Sequence, residues 1–299
     1  MPAPTPAPTP APTPGTVAIV TDSTAYLPVD LIEAHGVTVV PLQVVIGGRS
    51  LAEGLEVTSD EVAEALGSWR PVTTSRPSPE LFARTYRSLA AAGASAVVSV
   101  HLSGELSGTA EAARLAAREV GADGVRVEVV DSRSMGMGLG FTALAAARAA
   151  AQGLDAAAVA DAATRAGHGT SVWLYVDTLE YLRRGGRIGA AAAMLGSALS
   201  VKPLLQLVDG RLEPLERVRT SSRALARLEE LVVRAAGDRP VDVAVQHLAS
   251  TERAQEIAER LRGRLPRAGR VLVGEVGAVV GAHVGPGMLG VALAPSTGD

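Results

Sequence analysis

From residue 16 onward the chain alternates short apolar runs with longer stretches whose apolar positions recur every three to four residues, the grammar of an α/β fold. Runs at residues 17–21, 37–42, 96–102, 125–130, 171–176, 201–208, 241–247 and 271–276 are each predicted to be strands. Helical stretches separate most of them. From Ser78, a serine cap precedes Pro79 at the first helical position, and Phe82, Tyr86 and Leu89 then repeat at helical spacing until Gly93 stops the helix. Asp209-Gly210 separates residues 204–208 from 211–216, and this dipeptide tolerates the positive φ angles of a tight hairpin. Antiparallel pairing is therefore expected in the second half.

The 299 residues have room for two lobes. An Ala-rich helix begins near Leu139, and the weakly patterned stretch after it, residues 153–169, marks the expected junction. The predicted division is a tail at 1–14, an N-terminal α/β lobe at 15–165 and a C-terminal α/β lobe at 166–299. The tail repeats Pro-Ala-Pro-Thr, and its prolines lack the donors that a helix or sheet needs, so a solvated polyproline II segment is expected there. It has neither the basic start nor the apolar run of a secretory signal.

A net charge of −3 supplies no basic field for nucleic acid or anionic membrane. The absence of cysteine excludes disulfides, thiolate ligands and cysteine nucleophiles, and is compatible with a cytoplasmic location. Gly, Arg or Asp interrupts every long apolar stretch before the roughly 20 residues of a membrane span, so no transmembrane helix is expected.

Four segments could carry chemistry. The run Ser103-Gly104-Glu105-Leu106-Ser107-Gly108-Thr109 follows a predicted strand and opens a helix, an arrangement suited either to helix capping or to holding a carboxylate or phosphate. Thr73-Thr74-Ser75-Arg76-Pro77-Ser78-Pro79 reads as a constrained loop with hydroxyls, fitting a helix entry or a ligand loop. In Leu182-Arg183-Arg184-Gly185-Gly186-Arg187-Ile188, paired glycines allow an unusual backbone path beside guanidinium groups that suit an anion or a solvated turn. Gly281-Ala282-His283-Val284-Gly285-Pro286-Gly287 reads as a loop shaped around one histidine, a residue whose charge can respond near neutral pH. Asp22-Ser23 and Asp131-Ser132 follow strands and read as turn and cap residues. No G-x-S-x-G elbow, P-loop, H-E-x-x-H helix or zinc-spaced histidine cluster occurs. The stretch Gly138-Leu139-Gly140-Phe141-Thr142-Ala143 matches a lax dinucleotide fingerprint, but it stands away from the preceding strand and lacks the following acid, so it is set aside.

In order along the chain, Val20 to Thr24, Thr74 to Pro79, Leu106 to Thr109, Asp131-Ser132, Leu179 to Ile188, Val201-Lys202-Pro203 and Gly281 to Gly290 resemble the signatures of the DegV family of bacterial fatty-acid-binding proteins. The resemblance spans about residues 16–294 and implies two α/β lobes, the first around a mostly parallel sheet with flanking helices, the second with antiparallel pairing, and a tunnel for an acyl chain between them. It implies a non-catalytic carrier of a long-chain fatty acid such as palmitate or oleate. No cofactor or metal is expected, nor stable membrane insertion. A separate fatty-acid kinase is the implied partner, which places the carrier in phospholipid metabolism. Thr74 corresponds to the threonine that bonds the carboxylate, with Ser107, or else Ser103, as its serine partner and Ser75 alongside. Arg187 and His283 correspond to the arginine and histidine facing the head group or the kinase, and Lys202 to a scaffold residue. Two departures stand out: Arg76 where many members have glutamine, and Gly104 where many have a second serine.

Burying about fourteen methylenes at about 0.8 kcal/mol each offers roughly 11 kcal/mol before ordering costs, so a carrier of this kind can retain its ligand. The carboxylate must then find donors. Two other readings compete: a substrate subunit resembling those of dihydroxyacetone kinases, with His283 binding a carbonyl compound covalently, and a regulatory module without ligand.

Overall fold

The computed structural model describes residues 15–194 and 201–296; the expected tail at 1–14 lies outside them. The chain runs through β1 (Val17–Asp22), α1 (Val29–His35), β2 (Val37–Val40), β3 (Gln43–Ile46), β4 (Arg49–Ala52), α2 (Ser59–Gly67), β5 (Val72–Ser75), α3 (Pro79–Ala91), β6 (Ala96–His101), α4 (Thr109–Gly121) and β7 (Val127–Asp131). Two helices follow, α5 (Met137–Ala151) and α6 (Ala156–Gly169). The remainder comprises β8 (Ser171–Tyr175), α7 (Glu180–Arg184), β9 (Lys202–Val208), β10 (Arg211–Val218), α8 (Ser221–Ala236), β11 (Val241–His247), α9 (Thr251–Arg264), β12 (Ala268–Glu275), α10 (Ala278–Val284) and β13 (Leu289–Pro295).

Among the described residues these strands form three sheets. A parallel one has the order β2-β1-β6-β7, a small antiparallel one the order β4-β3-β5, and a six-stranded one the order β10-β9-β8-β13-β11-β12. In the last, only β11 and β12 run parallel. Side-chain alternation then assigns each strand's two faces to different cores. Ala18 and Val20 of β1 pack with Phe82, Tyr86 and Ala113 of α3 and α4, while Ile19 between them joins the central core. In β11, Val241, Val243 and Val245 pack with α8 and α9, and Ala244 faces inward. The central core lies between the two large sheets, and α5 fills it: nearly every residue from Met137 to Ala150 is buried. A helix apolar on all sides belongs in such a place. The expected lobe junction at residue 165 falls within α6, which contacts strands of both large sheets.

Glycines in α5 allow this close packing. A Cβ on Gly138 would stand 2.7 Å from Val172 Cγ2 of β8, and one on Gly140 2.9 Å from the Ala25 carbonyl oxygen just beyond β1. The sequence that resembles a dinucleotide fingerprint is thus a helix–sheet packing seam.

Ser78 caps α3 as expected, its hydroxyl accepting from the Leu81 N–H, with Pro79 at the first helical position. Asp209 and Gly210 both take positive φ in the β9–β10 hairpin, +50° and +82°. Elsewhere the structure corrects the reading. Residues 72–75, expected as loop, form β5, with Thr74 opposite Val44 of β3. Residues 289–295, not expected as a strand, form β13 between β8 and β11. His283 is helical, in the last turn of α10.

Candidate functional site

A narrow cleft opens beyond the carboxyl end of the parallel sheet, where α/β folds commonly hold ligands. It encloses about 570 Å³ of space, counting that open to solvent. Its floor is apolar: Leu42, Leu102, Met135 and Leu182 with Val279, Val280 and Val284 of α10. Thr74, Ser75, Arg76, Ser107, Arg187 and His283 supply its polar lining, which among the described residues includes no carboxylate.

Each polar side chain arrives by local geometry. In β5, alternation turns Val72 and Thr74 toward the interior and leaves Thr73 and Ser75 exposed. In α10, helical spacing brings Val279, Val280, His283 and Val284 to one face. Thr74 Oγ1 and His283 Nε2 meet at 2.8 Å across the cleft. His283 Nδ1 is buried without a partner among the described residues because the Gly185 backbone lies against the ring; a Cβ there would be 2.0 Å from Nδ1. The paired glycines therefore serve separate needs. Gly185 has an ordinary φ of −73° and gives the histidine room, whereas Gly186, at φ +69°, turns the chain. Arg187 follows, its Nε donating to the Leu106 carbonyl at 3.2 Å and its Nη1 to the Gly185 carbonyl at 2.8 Å. Arg76 reaches the Gly108 carbonyl of the same loop at 3.4 Å. Between these two arginines' anchor points stands Ser107, its hydroxyl 2.9 Å from that of Thr109.

Burial, with Arg187 nearby, pushes the His283 pKa down to about 4. The ring is consequently neutral near pH 7, a correction to the expectation of a charge responsive around neutrality.

The first turn of α10 is held from the opposite side by Glu53, which is 5% exposed. Its Oε1 accepts from the Val279 N–H at 2.7 Å and from the Tyr26 hydroxyl at 3.0 Å, and its Oε2 accepts from Ser23. Tyr26 Oη in turn accepts from the Val280 N–H at 3.1 Å. Desolvation raises the Glu53 pKa to about 7 despite those donors.

The family model described as "Uncharacterised protein, DegV family" matches residues 16–296. The chain belongs to the DegV family. A DegV domain-containing protein of Streptomyces coelicolor is 59% identical over 277 residues, 93% of this chain and 98% of the relative. Among solved structures, a DegV family protein from Thermus thermophilus described for its fatty acid binding superposes with a TM-score of 0.87 at 36% identity, covering 94% of this chain and all of that one. DegV of Bacillus subtilis, described as a fatty acid binding protein, gives 0.86 at 33% identity with the same coverage. The two-lobed α/β architecture is thus the DegV fold.

Of the residues matched to DegV signatures, Thr74, Ser75, Ser107, Arg187 and His283 line one cleft. Ser103 does not. It is fully buried, donates to the Gly210 carbonyl at 2.7 Å and accepts from the Glu105 N–H, tying the loop to the β9–β10 hairpin. Gly104 also points away from the cleft, and a Cβ there would stand 2.7 Å from Asp131 Oδ2. Lys202 pairs with Asp177 at 2.8 Å. Ser107 and Thr109 do not cap α4: its N-cap is Gly108, without a side-chain bond.

Asp22 does more than cap a turn. Tyr86, Ser99, His101 and Asp22 form a hydrogen-bonded chain with links of 2.8, 2.7 and 3.0 Å, and Asp22 also accepts from the Leu102 N–H. Ser99, His101 and Asp22 are fully buried, so this serine–histidine–aspartate set pins the ends of β1 and β6. Glu53 escaped the sequence reading because nothing adjacent marks it; its role depends on a helix 226 residues away.

Proposed function

We propose that the protein binds a long-chain fatty acid, with the carboxylate at Thr74 and Ser107 and the acyl chain along the apolar floor of the cleft. The observation that carries this reading is a cleft with hydroxyls, two arginines and a neutral histidine at one end, aliphatic walls elsewhere and, among the described residues, no carboxylate in the lining. An anion with an apolar tail matches both ends. The fatty-acid-binding descriptions of the Thermus thermophilus and Bacillus subtilis relatives support the same class of ligand.

In this reading the His283 N–H donates from Nε2 to Thr74 Oγ1, which leaves the Thr74 O–H free to donate to the carboxylate. Ser107 supplies the second donor and Ser75 a further hydroxyl near the mouth. Ser103 has no part in it. The exposed position of Ser75 and Arg76 leaves the head group within reach of a second protein, consistent with presentation of the carboxylate to a separate fatty-acid kinase. The chain then acts as an acyl carrier, the phosphoryl chemistry residing in its partner. Mass spectrometry of lipid extracted from gently purified protein tests the reading. A stoichiometric long-chain fatty acid is expected; an empty extract together with no calorimetric binding of palmitate or oleate would refute it.

A further inference from the structure

Beyond the head-group cleft lies a second, tighter cavity between the start of α5 and the inner face of the six-stranded sheet. It takes in about 280 Å³ of space, counting that open to solvent, and the two cavities share Met135 and Val280 as walls. Its lining is aliphatic or glycine, with Leu174 and Met288 among the walls, save for one residue, Gln246.

Gln246 sits on β11 with Ala244 on the inward parity of the strand, and it is 6% exposed. Its Oε1 accepts from the Met137 N–H at 2.8 Å, at the start of α5. That bond sets the amide's orientation, because the flipped amide would face its NH₂ against another donor. Gly136 makes the approach possible: a Cβ there would be 2.5 Å from Gln246 Oε1. The amide nitrogen is left buried with no hydrogen-bond partner among the described residues. A buried donor of this kind is rare in folded proteins and asks for an acceptor. A saturated acyl chain has none.

We infer that the cavity is the distal part of the acyl site and that Gln246 Nε2 donates to an oxygen on the chain itself, so that the protein favours fatty acids oxygenated away from the carboxyl group, such as hydroxy acids. This rests on the fatty-acid reading above and adds a specificity-determining residue to it. The chemistry is that of a polar site which, once built, discriminates strongly against an analogue lacking the matching group. Gln246 stands on a central strand with its partner bond already made, so the donor is held in place before any ligand arrives.

The test compares stearate with hydroxystearates carrying the hydroxyl at successive positions, by calorimetry on the delipidated full chain and on Gln246→Leu. At least one positional isomer is expected to bind roughly tenfold tighter than stearate to the wild type, the worth of one buried hydrogen bond. In Gln246→Leu that preference should vanish while stearate binding persists. Equal binding of stearate and every isomer by the wild type would overturn the inference, and that outcome is available even if the variant fails to fold. A preference that survives in Gln246→Leu would overturn the role of this residue. Failure of all these acids to bind would instead overturn the fatty-acid reading.

Discussion

Glu53→Gln isolates the contact that holds α10 in place. The carboxyl group joins Ser23 and Tyr26 to the Val279 N–H, and the helix it anchors carries His283 into the cleft. Its pKa rises from 4.5 to about 7 in the folded chain, burial being the leading cause. At 1.36 kcal/mol per unit, a rise of that size is worth on the order of 3 kcal/mol. Between the two values the native state keeps a proton that the unfolded chain releases. The contribution is therefore full below pH 4.5 and is lost as pH rises through about 7. His283 has the opposite sign: its pKa is lowered from 6.5 to about 4, so its share of stability is present above 6.5 and lost as pH falls through about 4.

The difference between wild type and Glu53→Gln separates the two groups, since only Glu53 changes. Glutamine keeps an acceptor for the Val279 N–H and carries no charge at any pH. Urea unfolding of both proteins from about pH 5 to about pH 8 should show the wild type losing stability relative to the variant as pH rises, by on the order of 3 kcal/mol across the window. Parallel curves would show that Glu53 does not titrate there and that burial does not dominate its ionisation.

Thr74→Ala and Ser107→Ala should each weaken palmitate binding by about 1.5–3 kcal/mol with the thermal midpoint unchanged, because each removes one donor to a charged group; wild-type affinity in both would relocate the carboxylate. Gly185→Ala should push the His283 ring, whose Nδ1 lies 2.0 Å from the added Cβ, into the cleft and so lower fatty-acid affinity by obstruction, which removal of the ring would not do. Gly186→Ala should cost about 1–2 kcal/mol of stability through its φ of +69° while leaving affinity intact, as nothing lies within 4 Å of its Cβ; calorimetry and denaturant unfolding of the pair check the contrast. Arg187→Ala and His283→Ala should retain most ligand occupancy, which apolar burial dominates, yet impair acyl-phosphate formation with a fatty-acid kinase. Occupancy and phosphorylation falling in step would assign both residues to binding itself.

The parts of this protein legible in its sequence are those whose causes are local. Alternating Val and Ala in β1 and β11, the Ser78-Pro79 helix start and the Asp209-Gly210 turn all depend on neighbours a few residues away. The ordered motifs also pointed to Thr74, Ser75, Ser107, Arg187 and His283, and these share a cleft. Where pairing partners are distant, local signals failed. The stretch β13 carries Gly290, Ala292, Ala294 and Pro295, poor strand formers, and is extended because β8 and β11 bond it on both sides. Thr73 to Ser75 reads as loop until β3 pairs with it. Ser103 and Ser107 look equivalent along the chain, and only the β9–β10 hairpin, by claiming the Ser103 hydroxyl, separates them. Gly185 is glycine because a histidine 98 positions later needs the space, Glu53 meets the N-terminus of a helix 226 residues on, and Gln246 is oriented by a backbone N–H 109 residues earlier. Such contacts exist only after the two sheets close on α5, since a side chain's partners across a core are set by packing, to which sequence separation is no guide.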